Sequence, residues 1–234
     1  MRRRTVIEVG GVTIAAAVMA GPARAGLDGG LGEAGWRELT FKNKQPNRFA
    51  PEGADGVRVE SDGTVSLIYR PASADLTSTP FLTWRWRVDA APPPTDLTRK
   101  GGDDRPLAVY VSFAYDPARA GVGERLKRAA ASITSDRPLP GRLLVYTWGG
   151  DGRAQGWFDS PYIKQFSKMR ALRGPDAPLG QWVEERVDLR ADHQAAFGQP
   201  PTAPTEISVS ADSDDTKSRS VGLVADLRFA PAGG

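Results

Sequence analysis

Apolar and polar residues alternate with a period of two along many short segments of the chain, and this pattern predicts β-strands. The clearest alternation runs through residues 81–89, and a second runs through residues 107–115. Turn residues separate these segments, and the chain holds 19 prolines and 26 glycines. We therefore predict an all-β fold, an antiparallel β-sandwich of the jelly-roll or galactose-binding-like type.

Helical patterns are rare in the chain. Residues 123–132 consist almost entirely of good helix formers, and residues 191–197 have the pattern of a short helix. The sandwich should therefore carry one or two short helices.

The N-terminus has the pattern of a cleavable export signal. Three consecutive arginines precede an apolar stretch at residues 9–20, and Ala-Arg-Ala follows at residues 23–25 as a cleavage site. The apolar stretch is shorter than the roughly 20 residues that a membrane-spanning helix needs. We expect a periplasmic or secreted protein with no transmembrane segment after signal removal. The predicted organisation is a signal (1–25), a flexible linker (26–35), one β-sandwich domain (36–230) and a tail (231–234).

Net charge and cysteine content exclude several classes of function. The formal charge of the whole chain is +3, and the signal region accounts for all of it, so the mature domain is close to neutral. Nothing in this balance favours nucleic acid as a partner. The chain has no cysteine, which excludes disulfides, thiolate metal sites and cysteine nucleophiles.

Side chains on the central strand separate into two faces. Trp84 and Trp86 share the apolar face, whereas Arg85 and Arg87 share the other. The strand that returns after it places Tyr110 on its non-core face by the same alternation. We therefore expect Arg85, Arg87 and Tyr110 to lie together on one surface of the sheet.

The strand at residues 143–148 extends this surface if Leu143 and Val145 point inward, because Tyr146 and Trp148 then point outward. Interleaved cations and aromatic rings on a sheet are typical of sugar-binding surfaces, where rings stack on the apolar faces of sugars. In the alternative interpretation the arginines lie flat on aromatic rings, or pair with acids, as a solvated sheet exterior.

The connection between the two central strands adds Lys100, Asp103 and Asp104 after a glycine pair. We predict that one aspartate pairs with Arg85 or Arg87 and holds this loop over the sheet as a ligand contact. Adjacent residues of an extended chain point to opposite sides, whereas a glycosidase needs two carboxyls across one site. The two aspartates are therefore weak candidates for catalysis.

A second acidic segment contains Asp212, Asp214 and Asp215. Oxygen ligands at such spacing suit calcium, although the EF-hand pattern is absent. The alternative is a turn in which the aspartates bond the local backbone. We expect no cofactor unless this segment binds calcium.

His193 is the only histidine of the chain, and no G-x-S-x-G sequence presents a serine nucleophile. A single histidine also cannot build a His-rich metal site. We expect His193 to be an exposed residue of the short helix.

Several segments together carry a family resemblance. They are PFLTWRWRV at 80–88, KGGDD at 100–104, VYVSF at 109–113, LVYTW at 144–148 and DSDDT at 212–216. On these segments the chain resembles a bacterial exported family, the domain of unknown function 3047. The resemblance implies an exported domain and no particular activity. The ending, DSDDT followed by ADLRF, is also similar to the last hairpin of carbohydrate-binding jelly rolls.

These observations favour non-catalytic binding of a glycan or envelope polymer. The alternatives are a glycan-active enzyme that uses Asp103 or Asp104, and a structural envelope protein. No catalytic residue is assigned. The predicted ligand-binding residues are Arg85, Arg87, Lys100, Asp103, Asp104, Tyr110, Tyr146 and Trp148, and the predicted metal ligands are Asp212, Asp214 and Asp215.

Overall fold

The computed structural model describes residue 27, residues 29–125, residue 128 and residues 140–233. The predicted export signal and most of the predicted helix at 123–132 lie outside these residues, although residues 122–125 and 128 are helical. In the part of the chain that the structure describes, no helix is long and apolar enough to cross a membrane.

The described chain is built mainly from strands. Their bounds are β1 Arg37–Thr40, β2 Arg48–Glu52, β3 Gly56–Asp62, β4 Val65–Pro71, β5 Phe81–Ala90, β6 Arg105–Phe113, β7 Arg142–Trp148, β8 Phe158–Asp159, β9 Ser167–Arg173, β10 Val183–Asp188, β11 Pro204–Asp212 and β12 Arg219–Ala230. A 3₁₀ turn, Gly29–Leu31, precedes β1, and helix α1, Leu189–Phe197, connects β10 to β11.

The strands form two sheets that confirm the predicted β-sandwich. The seven-stranded sheet has the order β1-β4-β11-β6-β7-β9-β8, and the five-stranded sheet has the order β10-β5-β12-β3-β2. Four antiparallel pairs are nested, because β3 pairs with β12, β4 with β11, β5 with β10, and β6 with β7. This is a long hairpin rolled so that successive strands alternate between two sheets, which is the jelly-roll arrangement. The pairing of β7 with β9 is parallel.

The core between the sheets is rich in aromatic side chains. Trp84 and Trp86 are buried in it, as predicted, with ring centroids 5.4 Å apart in an edge-to-face arrangement. Tyr146 packs against Trp84, and Trp148 packs against Trp86, at 5.6 and 5.5 Å. Such aromatic pairs add to the stabilisation that burial alone provides.

The prediction that Tyr146 and Trp148 point outward with the arginines is therefore wrong. They point inward because Val145, between them, packs on the outer side of the sheet against Ala108 and Met169. Both faces of β7 are covered by apolar groups, so alternation of polar and apolar residues could not tell its inner face from its outer face.

Helix α1 begins at an aspartate cap and ends at a glycine. Asp188 accepts hydrogen bonds from the backbone N–H groups of Arg190 and Ala191, and Gly198 ends the helix with φ 71°. His193 is buried, with its ring 4.9 Å from that of Phe113. The expectation of an exposed histidine is wrong, because the short helix packs this face against the end of the core.

Candidate functional site: the outer face of the seven-stranded sheet

The two arginines and Tyr110 lie on opposite sides of the molecule. Arg85 and Arg87 project from the outer face of the five-stranded sheet, whereas Tyr110 projects from the outer face of the seven-stranded sheet. The predicted shared surface is therefore wrong. Strands β5 and β6 follow one another in the chain, but the jelly roll places them in different sheets, so their non-core faces point apart.

The arginines have local partners on their own face. Arg85 Nε lies 2.6 Å from an oxygen of Asp226, and Arg87 Nε lies 2.8 Å from one of Asp89. Both guanidinium groups cover the ring of Trp182, at 4.7 and 5.4 Å from its centroid. The predicted pairing of these arginines with the aspartates of the 100–104 loop is therefore wrong, and their contacts match those of a solvated sheet exterior.

Arg105 is the centre of the polar network at the start of β6. One of its terminal nitrogens lies 3.2 Å from the carboxylate of Asp103 and 3.5 Å from that of Asp212. The other donates a hydrogen bond of 2.7 Å to the hydroxyl of Tyr110. Arg105 is not among the predicted site residues, although a charged residue that opens an otherwise apolar strand is a visible signal.

Asp104 joins two acidic segments that are far apart in the sequence. Its carboxylate accepts hydrogen bonds from the backbone N–H groups of Asp215 and Thr216, at 3.2 and 2.7 Å. It also accepts one of 2.6 Å from the hydroxyl of Thr216. These hydrogen bonds connect the loop before β6 to the turn between β11 and β12.

Four buried aspartates gather here, and we call them the carboxylate cluster: Asp103, Asp104, Asp212 and Asp214. Ligand oxygens of the last three all lie within 4.8 Å of one another. The predicted metal ligand Asp215 lies beside the cluster and is only partly buried. Asp104, which was predicted as a ligand contact, is the third member of this group in place of Asp215.

Negative charge exceeds positive charge in the carboxylate cluster. Arg105 contacts two of its members, and Lys44 forms an ion pair with Asp214. Burial raises the pKa of Asp212 to about 8, and the nearby carboxylates add to this rise while Arg105 opposes it. Buried carboxylates with too few cationic partners either bind protons or hold a metal ion, and this buried cluster has the oxygen ligands for one.

Tyr162 connects the cluster to the molecular surface. Its hydroxyl donates a hydrogen bond of 3.0 Å to Asp103, and the Nζ of Lys100 lies 5.5 Å from its ring centroid. Burial and the neighbouring Asp103 raise the pKa of Tyr162, so the phenol stays protonated and keeps donating. Tyr162 therefore links Lys100 to Asp103, and Tyr162 itself is not among the predicted site residues.

A strip of tyrosines and serines runs from the cluster across the sheet, and we call it the tyrosine–serine strip: Tyr69, Tyr110, Ser208 and Ser210. Ser208 of β11 is paired in register with Tyr69 of β4 on one side and with Tyr110 of β6 on the other. Both tyrosines are partly exposed, whereas the serines are buried beneath them.

The strand register sets the spacing of the two tyrosines. Neighbouring strands lie about 4.8 Å apart, so the backbones of Tyr69 and Tyr110 lie about 10 Å apart with the short side chain of Ser208 between them. The hydroxyl of Tyr110 also lies 2.9 Å from that of Ser210. Aromatic side walls and a floor of small hydroxyls can bind a flat, hydroxyl-rich ligand.

Comparisons with known proteins identify a family but no activity. The family described as "Protein of unknown function (DUF3047)" matches residues 34–228. No curated protein matches the chain. Among the solved structures similar to it is the xyloglucanase domain of NopAA, a type three effector from Sinorhizobium fredii, in complex with cellobiose. That similarity has a TM-score of 0.44 and 9% sequence identity, and it covers 84% of this chain and 92% of the other.

Proposed function

Because the chain belongs to the DUF3047 family, whose description assigns no activity, we propose its function from its own geometry. The protein is exported to the periplasm or secreted, and it binds a glycan or another envelope polymer without catalysis. The observation that supports this is the tyrosine–serine strip, which lies beside the carboxylate cluster on one open sheet face.

The strip supplies the two kinds of contact that sugars need. Partly exposed rings of Tyr69 and Tyr110 pack against the apolar faces of sugar rings, which adds buried apolar area to the contact. Lys100 and Tyr162 stand at the end of the strip, where they reach hydroxyl or carboxylate groups of a longer polymer.

The contacts of the aspartates favour binding over catalysis. Asp104 uses both oxygens to hold the backbone of Asp215 and Thr216, and Asp103 is held by Arg105 and Tyr162. A glycosidase needs two carboxyls about 5–9.5 Å apart on either side of the substrate. Here the carboxylates lie buried beneath the surface, where they hold the loops in position.

A binding experiment with variants on the two outer faces tests the proposal. We expect the wild type to be retained on peptidoglycan or on members of a glycan array. Tyr69→Ala and Tyr110→Ala should each weaken retention about tenfold, because each removes one stacking ring. Arg85→Ala is the matched control, since it removes a large side chain from the opposite outer face.

Two results would contradict the proposal. Retention that is unchanged in both tyrosine variants and lost in Arg85→Ala would move the binding site to the five-stranded sheet. Release of shorter glycan products from the bound polymer, measured by mass spectrometry, would show catalysis and overturn the non-catalytic assignment.

We also propose that the carboxylate cluster binds calcium. Asp104, Asp212 and Asp214 supply oxygen ligands from two different segments, so a bound ion would link the loop before β6 to the β11–β12 turn. A ligand that binds only the folded state stabilises it, and at 100 times its dissociation constant the gain is about 2.7 kcal/mol.

Thermal unfolding in calcium and in a chelator tests this site. We expect calcium to raise the melting temperature of the wild type by several degrees, and Asp212→Asn to abolish the rise. Asp55→Asn changes an exposed aspartate outside the cluster and should keep it. Equal melting temperatures of the wild type in calcium and in chelator would refute the calcium proposal and leave the glycan proposal standing.

A further inference from the structure

A groove opens between the two sheets at the end of the sandwich opposite the carboxylate cluster. It is open to solvent and has a volume of about 360 Å³, and its walls include Arg70, Ala72, Ile207, Leu227 and Phe229. In the pairing of β4 with β11, Arg70 is opposite Ile207 and Val65 is opposite Asp212. Five residues of strand separate the two ends, a distance of about 17 Å, so this groove is distinct from the carboxylate cluster. It is also distinct from the proposed glycan face, because Arg70 and Tyr69 are consecutive on β4 and point to opposite sides of the sheet.

The groove has an apolar wall because it continues the inner faces of both sheets. Ile207 belongs to β11 of the seven-stranded sheet, while Leu227 and Phe229 belong to β12 of the five-stranded sheet. All three pack in or against the hydrophobic core. Its volume falls in the range of about 300–1,000 Å³ that is typical of small-ligand sites.

Arg70 is the one charged residue among the described residues of this wall. It follows Ile68, a buried core residue, by two positions on β4, so alternation directs its side chain to the inner side of the sheet. One terminal nitrogen donates a hydrogen bond of 3.2 Å to the carbonyl of Leu227. Its guanidinium carbon lies 4.8 Å from the ring centroid of Trp36, which holds the group in place.

The guanidinium of Arg70 has N–H groups with no acceptor among the described residues. A guanidinium presents several N–H groups in a planar fork, and the carbonyl of Leu227 accounts for one of them. Among the described residues, no carboxylate forms an ion pair with Arg70. A positive charge with free donors at the edge of an apolar groove is complementary to an anion that carries an apolar body.

We propose that this groove binds a small amphipathic anion, a carboxylate on a short aliphatic chain. The carboxylate accepts the N–H groups of Arg70, and the aliphatic chain lies along Ile207, Leu227 and Phe229. A carboxylate is favoured over a neutral head group because it adds the attraction of opposite charges and can accept two parallel N–H groups of the guanidinium fork. A primary ammonium is disfavoured because it meets a like charge.

Calorimetry with three probes of equal chain length tests this site. Octanoate, octanamide and octylamine differ in the charge of the head group. We expect octanoate to bind the wild type at least tenfold more tightly than octanamide, and octylamine not to bind. Arg70→Gln should remove the preference for octanoate over octanamide, because the neutral amide of glutamine treats both head groups alike.

A second variant leaves Arg70 in place. Ser73 lines the groove and is exposed, so Ser73→Trp should fill the groove and weaken octanoate binding at least tenfold without disturbing the core. Thr77→Trp adds the same side chain at an exposed position outside the groove and should bind as the wild type does. Octanoate binding that survives in Ser73→Trp, or a wild type that binds octanoate and octanamide equally, would overturn the proposal.

Discussion

At the scale of single residues, Gly222 marks a place where the two sheets approach each other closely. A Cβ atom at this position would lie only 2.4 Å from Cγ of Leu107, which belongs to the opposite sheet. The side chain of Leu107 is completely buried, so it has no space into which to move. We expect Gly222→Ala to lower the free energy of unfolding by about 1–3 kcal/mol, measured by urea denaturation.

The matched control for this prediction is Gly121→Ala. No atom lies within 4 Å of a Cβ built there, so the change should leave stability within about 0.5 kcal/mol of the wild type. If both alanine variants unfold at the same urea concentration, the close approach of the sheets at Gly222 does not limit the size of the residue.

Alternation along one strand predicts a residue's face when the two faces differ in polarity. It placed Trp84 and Trp86 in the core because arginines alternate with them. It failed for Tyr146 and Trp148, because Val145 packs against a second apolar cluster on the outside of the same sheet. No alternation pattern could have shown that Arg105 is buried, since one of its two acidic partners, Asp212, is distant in the chain.

At the scale of elements, helix α1 carries a titratable group into an apolar environment. The ring of His193 packs between Phe113 and Phe197, and its Nδ1 lies 2.7 Å from the carbonyl oxygen of Gln199. Burial lowers the pKa of His193 below its ordinary 6.5, although the carbonyl contact opposes this. The folded protein therefore keeps this imidazole neutral at a pH where the unfolded chain protonates it.

This difference predicts a loss of stability in acid. Below pH 6.5 the unfolded state binds a proton that the folded state does not, so stability falls by up to about 1.4 kcal/mol per pH unit until the folded pKa is reached. We expect His193→Asn, which retains a donor for the carbonyl of Gln199, to lose this part of the pH dependence. Urea unfolding at pH 7, 6 and 5 measures it, and parallel curves for the two proteins would contradict the prediction.

Most strands could be predicted from their local pattern, but their arrangement could not. The segments that became β5, β6 and β7 were all recognisable from alternation and turn residues. Strands β8 and β9 lie in a stretch with no clear period, and β9 joins β7 in parallel, which needs a long connection. Which sheet a strand joins depends on long-range pairing, and for this reason the prediction of a common outer face for β5 and β6 is wrong.

At the scale of the whole molecule, the jelly roll brings two acidic segments together across more than one hundred residues. Asp104 and Thr216 are separated by 112 positions in the chain. Each segment alone was visible in the sequence, but neither showed that the other would be its neighbour. Arg105 holds the assembly together, because it contacts Asp103 on one segment and Asp212 on the other.

Removal of the Arg105 charge should therefore destabilise the whole fold. Arg105→Met introduces an uncharged, apolar side chain and leaves the buried side chains of Asp103 and Asp212 without the guanidinium that contacts both. We expect a loss of about 3–5 kcal/mol in urea unfolding without calcium, which is the usual cost of breaking a buried ion pair from one side.

The same change on the opposite outer face provides the control. Arg85 and Asp226 form a partly exposed ion pair, so Arg85→Met should cost less than about 1 kcal/mol. Calcium should restore part of the stability of Arg105→Met, because a divalent ion bound at Asp212 supplies the positive charge that the substitution removes. Equal losses in the two variants would show that the carboxylate cluster is hydrated well enough to need no cation, and Arg105 would then not hold the two segments together.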